Sequence, residues 1–360
     1  MTRLAGRIKD LIAANGPISV AEYMAMCLFD PEDGYYTTRE PFGVEGDFTT
    51  APEISQMFGE IVGVWLVAAW QALGHPLPAT IAEIGPGRGT LMKDLLRTIR
   101  RLAPDLESGS QIVLIEASPR LVEVQRRTLG EWSDRARWLT SVDDLPAHPL
   151  FIVGNELFDA IPVRQFVKTP DGWRERMVGL DEAGALSFFA GMASLDDTLL
   201  PAGSADASEG SIFEIAPARG AVMAEIAEHI AKAGGAGLLF DYGHLASGLG
   251  DTLQAVRRHG YDPVLAHPGE ADLTSHVDFE ALAREAARHG LKAASMPQGE
   301  FLLVMGLLER AGALGAAANE ARREEIRSEV ERLAAPDQMG TLFKVLAISR
   351  EPIELAPFEA

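Results

Sequence analysis

Between Ala82 and Thr90 the chain reads Ala-Glu-Ile-Gly-Pro-Gly-Arg-Gly-Thr, with Glu83 two residues ahead of a loop built on Gly85, Pro86, Gly87 and Gly89. Glycines at that spacing allow left-handed backbone and close approach to a ligand, and a helix beginning at Thr90 would offer it unpaired N–H groups. The chemistry such a turn suggests is binding of a nucleotide-type ligand; a tight strand-to-helix turn with no ligand is the alternative. Spacing separates the cofactors. A dinucleotide loop, G-x-G-x-x-G, needs glycine where Thr90 stands and an acid about 20 residues further on. Here the acid ending the next apolar run, Glu116, follows Gly89 by 27 residues. That weakens a dehydrogenase reading. Two later runs also end in carboxylates: Asp143 and Asp144 follow one, and Asn155-Glu156-Leu157-Phe158-Asp159-Ala160-Ile161-Pro162 follows the other. Acids at the ends of strands seldom serve packing alone. If a helical turn follows the second run, Glu156 and Asp159, three apart, share a face.

Periodicity supplies the elements that must position these residues. From Thr80 short apolar runs alternate with amphipathic helices: Thr80 to Ile84, a helix from Thr90 to Leu102, Gln111 to Ile115, a helix from Pro119 to Leu129, Arg137 to Thr140, and Leu150 to Gly154. Such alternation predicts βαβ units and a doubly wound α/β sheet. From Val163 the period changes to two around the turn Pro170-Asp171-Gly172, predicting a β-rich antiparallel insertion over about 163–210, with Pro201 to Ser211 as a mobile loop. The wound pattern resumes with a helix from Ala218 to Ala233 and a strand from Ala236 to Phe240; helices from Val277 to His289 and Asn319 to Leu333, and a strand from Leu342 to Ile348, follow. Residues 1–75, with an amphipathic helix from Arg3 to Ala14 and Ser19 capping Val20 to Leu28, read as an N-terminal helical cap on a domain spanning 76–360.

Composition narrows the partners. A net charge of −20 repels phosphate backbones and anionic lipid, so nucleic acid is not expected as a ligand, whereas a basic protein segment or a cationic small molecule suits the field. The longest apolar stretch, Ile61 to Trp70, is too short to span a bilayer, and no membrane insertion is expected. One cysteine, Cys27, excludes an intrachain disulfide and a cysteine metal cluster. The eight histidines lack the i, i+4 pairing of a helical metal site, so no metal is expected. With no secretory or transit pattern over the first residues, where Asp10 and Glu22 interrupt, the expected location is cytoplasmic.

A G-x-G-x-G loop behind an acid resembles motif I of class I S-adenosylmethionine methyltransferases. That resemblance implies S-adenosyl-L-methionine as cofactor. Glu83, Gly85, Pro86, Gly87, Gly89 and Thr90 would lie along its methionine part, and Glu116, with Ala117 and Ser118 beside it, would take the ribose hydroxyls. Asp143 and Asp144 stand where the adenine amino group is often contacted, although helix capping accounts for them equally well. Asn155 and Glu156 stand where the reacting methyl meets the substrate. A longer series, Gly46-Asp47-Phe48-Thr49-Thr50-Ala51-Pro52-Glu53-Ile54-Ser55-Gln56 followed by Phe58-Gly59-Glu60, is similar to the N-terminal motif of MidA-type proteins. Gln165-Phe166, Asp241-Tyr242-Gly243, Asp272-Leu273-Thr274 and Met339-Gly340 resemble that family too, so the likeness covers nearly the whole chain. Leu157 departs from it, since an aromatic residue is usual there.

The MidA resemblance implies a protein arginine methyltransferase that assists assembly of respiratory complex I, acting on the complex I subunit homologous to the mitochondrial 49-kDa protein, and it leaves a homodimer open. Methyl transfer from a sulfonium needs orientation and charge placement more than bond-making groups. A guanidinium stays protonated and is a poor nucleophile; carboxylates can hold it by charge-assisted hydrogen bonds and leave one nitrogen facing the methyl. Glu156 is the first candidate for that carboxylate and Asp159 the second. Asp47 is an alternative, because Gly46 to Gln56 has the composition of a structured loop that could close over the cofactor; a clasp that only buries the sheet edge is the other reading of that segment. A small-molecule methyltransferase, or a cofactor-binding assembly chaperone with little turnover, would carry many of the same residues.

Overall fold

The computed structural model describes residues 2–38, 50–352 and 356–358, and the chain divides into two compact units. The larger comprises Thr49–Leu157, Val222–Leu245 and Asp278–Ala360. Its strands are β1 (Ala79–Ile84), β2 (Ser110–Ile115), β3 (Ala136–Leu139), β4 (Leu150–Asn155), β5 (Gly235–His244), β6 (Lys292–Pro297) and β7 (Phe343–Ser349). They lie in the order β6-β7-β5-β4-β1-β2-β3, with β7 antiparallel to both neighbours and the rest of the path parallel. Every residue of β1, β4 and β7 is buried, as strands with both faces covered must be. This is the α/β wound sheet that the alternating runs predict.

Chain order reverses between β1 and β4, and in wound sheets the crevice outside the carboxyl ends at such a reversal is where ligands bind. Register aligns the loops there: Ile84 pairs with Ile115 on one side and with Gly154 on the other. The glycine turn, Glu116 and Asn155–Glu156 therefore leave the sheet at one level.

Three helices matter for that edge. Helix α1 (Gln56–Ala72) carries the long apolar stretch, and its Trp65 and Leu66 are fully buried in the core of the sheet unit. Its Phe58 ring lies edge-on to Phe240 of β5, 5.0 Å between centroids. Helices α2 (Thr90–Leu102) and α3 (Pro119–Leu129) follow β1 and β2. A side chain at Gly59 would put its Cβ 2.7 Å from the Asp94 Cβ, so α1 and α2 approach closely only because glycine stands there.

The smaller unit comprises Met1–Phe48, Phe158–Ala221 and Ala246–Val277. Its antiparallel sheet runs Ile18–Ser19, Gly172–Leu180, Arg164–Thr169, Ile212–Ile215, with Leu186–Ser194 also on Gly172–Leu180. Leu4, Ile8, Val20, Tyr23 and Met24 from its helices pack with Val163, Val178 and Leu273 in one core. Ser19 and Glu22 form the reciprocal cap that starts the helix Val20–Phe29.

Long-range pairing redraws the expected boundaries. Residues 1–75 are shared between the units: the helices Arg3–Asn15 and Val20–Phe29 sit with the β-rich segment, and α1 sits with the wound sheet. The end of the stretch read as a mobile loop is also tied down. Ser204–Asp206 forms a short helical turn, and the next strand, Ile212–Ile215, returns to pair Phe213 with Phe166. Among the described residues no helix is long and apolar enough to cross a membrane.

Candidate active site

Glu83 is buried near the end of β1, where its carboxylate accepts from the Met92 N–H in the first turn of α2. Burial, with Glu116 nearby adding to it, pushes this carboxyl well above the usual carboxylate range, and Oε2 has no hydrogen-bond partner among the described residues. The glycine turn follows. The Gly85 N–H donates to the Ile115 carbonyl at 3.2 Å, and the Gly89 N–H to the Pro86 carbonyl at 2.7 Å. Gly85, Gly87 and Gly89 all take positive φ, at 66°, 51° and 81°. A Cβ on Gly87 would meet no atom within 4 Å, whereas one on Gly89 would rest 3.4 Å from the Gln125 Cγ. The turn thus has one braced side and one open side.

Glu116 stands at the end of β2. Its Oε1 accepts from the Ser118 N–H at 2.7 Å and its Oε2 from the Gln125 Nε2 at 3.0 Å, while the Ala117 N–H also faces the carboxylate. Burial raises this carboxyl and those donors oppose the shift. A carboxylate offers about four acceptor positions, so Glu116 can be held this way and still accept from a ligand hydroxyl. Ala117 and Ser118 here orient Glu116 through their backbone, and the Ser118 hydroxyl caps α3. Asp143 and Asp144 lie exposed in the turn Val142–Asp144, which Ser141 caps by accepting from the Asp143 N–H.

Glu156 has φ of +52°, an uncommon conformation for a residue with a side chain and one that often marks a functional site. The backbone is held there because its N–H donates to the Phe240 carbonyl of β5 at 2.9 Å. The Glu156 Oε1 accepts from the Asn155 Nδ2 at 3.0 Å and faces the Ala51 N–H at 3.4 Å. Asn155 is buried, and its Oδ1 has no hydrogen-bond partner among the described residues. Leu157 rests on the glycine turn, 3.0 Å from where a Gly85 side chain would begin.

The helical turn that would put Glu156 and Asp159 on one face does not form. Left-handed backbone at Glu156 interrupts it, and a separate turn closes from the Ile161 N–H to the Phe158 carbonyl at 3.0 Å. Asp159 belongs to the smaller unit. There its carbonyl accepts from the Ser275 N–H at 3.2 Å and from the buried Arg219 guanidinium at 3.1 Å, which also donates to the His276 carbonyl at 2.7 Å. Asp47 lies outside the described residues.

Two further residues act at the turn without having been singled out from the sequence as site residues. Glu53, on the short helix Ala51–Ile54, accepts from the Thr90 hydroxyl at 2.5 Å and lies 3.8 Å from the Arg88 guanidinium. Gln125 is fully buried on α3 between Leu121 and Leu129. An amide amid an apolar stripe at four-residue spacing is the signal that could have pointed to it. Together the open face at Gly87, the oriented Glu116 carboxylate and the unpartnered buried oxygens of Glu83 and Asn155 fit a polar ligand running along this edge, as a nucleoside that carries an amino-acid end does.

Comparison with known proteins identifies the family. Residues 61–296 match the model of a family described as S-adenosyl-L-methionine-dependent methyltransferase. The protein arginine methyltransferase NDUFAF7, mitochondrial, of Danio rerio is 34% identical, with 94% of this chain and 84% of the relative covered. Its Homo sapiens counterpart is 35% identical, with 94% and 81% covered. A Burkholderia thailandensis protein solved with bound S-adenosyl-homocysteine superposes with a TM-score of 0.82 at 31% identity, over 96% of this chain and 92% of that one. The mitochondrial names overturn the cytoplasmic expectation. That expectation rested on finding no secretory or transit pattern over the first residues, together with cysteine usage, which reports a reducing environment and does not tell one reducing compartment from another. The fold, the matched family model and relatives that align along nearly the whole sequence together establish that this chain belongs to the family of S-adenosyl-L-methionine-dependent methyltransferases, with S-adenosyl-L-methionine as its cofactor.

Proposed function

We propose that the protein methylates an arginine side chain of a protein substrate, and that Glu156 holds the guanidinium. The observation that carries this reading is the Glu156 carboxylate, fixed at the reversal point of the sheet by a left-handed backbone and by Asn155. A carboxylate so held accepts guanidinium N–H groups with little further ordering and draws positive charge to one side of the group. Asp159 and Asp47 are second candidates for the same task.

On this reading the turn Gly85-Pro86-Gly87, with Glu83, Gly89 and Thr90, holds the methionine part of the cofactor. Glu116, set by Ala117 and Ser118, accepts from the ribose, Asp143 or Asp144 meets the adenine, and Asn155 lines the reacting end. When bound, S-adenosylmethionine supplies an electrophilic methyl group on a sulfonium. The open face at Gly87 supports close backbone approach, and burial of Glu83 and Asn155 supports exclusion of water at that end.

The names of the NDUFAF7 relatives support an arginine, and the net charge of −20 suits a basic segment. We assign the substrate to the complex I subunit homologous to the mitochondrial 49-kDa protein, modified before assembly buries the arginine. Mass spectrometry of that subunit from wild-type and deletion strains tests the assignment, with loss of one methylarginine expected. Identical modification in both removes this substrate. Radiolabel from S-adenosylmethionine entering only the small-molecule fraction of a cell extract removes the protein-substrate reading altogether.

A further inference from the structure

The Gln125 side chain joins three parts of the cofactor edge that the sequence holds far apart. Its Nε2 donates to the Gly87 carbonyl at 2.8 Å and to the Glu116 Oε2 at 3.0 Å, which uses both amide hydrogens. Its Oε1 accepts from the Trp138 Nε1 on β3 at 2.9 Å. An indole N–H can only donate and a peptide carbonyl can only accept, so both ends of the amide are fixed independently and agree. The same side chain packs against Gly89, where an added Cβ would lie 3.4 Å from its Cγ.

We propose that Gln125 is a positioning residue of the cofactor site, locking the glycine turn and the Glu116 carboxylate into one rigid frame before the cofactor arrives, with Trp138 fixing the direction of its amide. This rests on the reading that Glu116 and the glycine turn hold the cofactor. The physical reason is preorganisation. A turn of three glycines is among the most mobile backbones a chain can have, and each part left unfixed must be ordered when the ligand binds. Gln125 orders the turn on folding, through a contact on the braced side that leaves the Gly87 face open. Because a single amide serves both partners, the turn and the ribose acid cannot shift independently. Met in its place would fill the same volume with no donor, freeing the Gly87 carbonyl and one Glu116 oxygen together.

The test uses the full-length protein, calorimetric titration with S-adenosylhomocysteine, and thermal unfolding of each variant. Gln125→Met should weaken binding by about tenfold, the worth of a hydrogen bond to a charged group. Glu116→Ala should weaken it by at least as much. The double variant should bind worse than Glu116→Ala alone, through the freed Gly87 carbonyl, but by less than the two single losses combined, because the part of Gln125 that acts through the acid is already gone, whereas independent sites would add. Trp138→Phe removes only the donor that orients the amide and should cost a few-fold in affinity. Additive losses, or unchanged affinity in a folded Gln125→Met protein while Glu116→Ala binds poorly, overturn the role of Gln125 and leave the site reading intact. If Gln125→Met does not fold, Trp138→Phe decides, and unchanged affinity there overturns the proposal. Unchanged affinity in Glu116→Ala overturns the site reading, and the proposal with it.

Discussion

Alanine at Gly87 and at Gly89 forms a matched pair that separates backbone strain from ligand contact. Both positions are left-handed, with φ of 51° and 81°, and holding an L-residue there costs about 1–2 kcal/mol. Each variant should therefore lose roughly 2–8 °C in Tm, taking about 2–4 °C per kcal/mol for a domain of this size. Their new methyl groups meet different surroundings. At Gly89 the Cβ comes into ordinary contact with Gln125, on the side already packed by protein, while at Gly87 it meets nothing within 4 Å. If that open face is where the cofactor's backbone contacts form, Gly87→Ala removes them and should weaken S-adenosylhomocysteine binding at least tenfold, or about 1.4 kcal/mol. Gly89→Ala should weaken binding by less than Gly87→Ala, since its methyl presses on Gln125 and does not enter the open side. Calorimetric titration beside thermal unfolding reads both quantities on one preparation. Equal affinity losses in the two variants, or a Gly87→Ala protein that binds as wild type, would refute the reasoning, because the open face would then look toward bulk solvent.

Glu156→Gln keeps the size of the side chain and removes its charge, so methyl transfer should fall by orders of magnitude with cofactor affinity little changed; an unaltered rate would move the substrate carboxylate elsewhere. A pH effect is expected at Asp94, where burial pushes the carboxyl up to about 6 against the opposing pull of Arg97 at 3.3 Å. A carboxyl raised in the folded protein contributes stability that is full below its unfolded value of about 3.9 and is lost as pH rises through about 6. The Tm of Asp94→Asn relative to wild type should therefore climb between pH 4 and pH 7, and a flat difference across that range would count against the burial argument.

How much of this was legible beforehand depended on whether the signal was local. The limits of the helices Thr90–Leu102 and Pro119–Leu129, the Ser19 cap and the strands bearing Glu83, Glu116 and Asn155 follow from periodicity, turn chemistry and capping within a few residues. Family membership was legible for a related reason, because the glycine turn and the strand-end acids are short, ordered strings that the chemistry requires in sequence. The conformation of Glu156 was not. Its left-handed backbone is imposed by a hydrogen bond to Phe240, 84 residues away, and that bond abolishes the helical turn expected to pair it with Asp159. Nor could the division into units be read, since Ile18–Ser19 pairs with Gly172–Leu180, and local pattern fixes the strands without naming their partners. Gln125 illustrates the boundary best. Sequence places an amide in an apolar stripe, but only tertiary structure, by bringing Gly87, Glu116 and Trp138 within hydrogen-bond reach of it, decides which groups satisfy it.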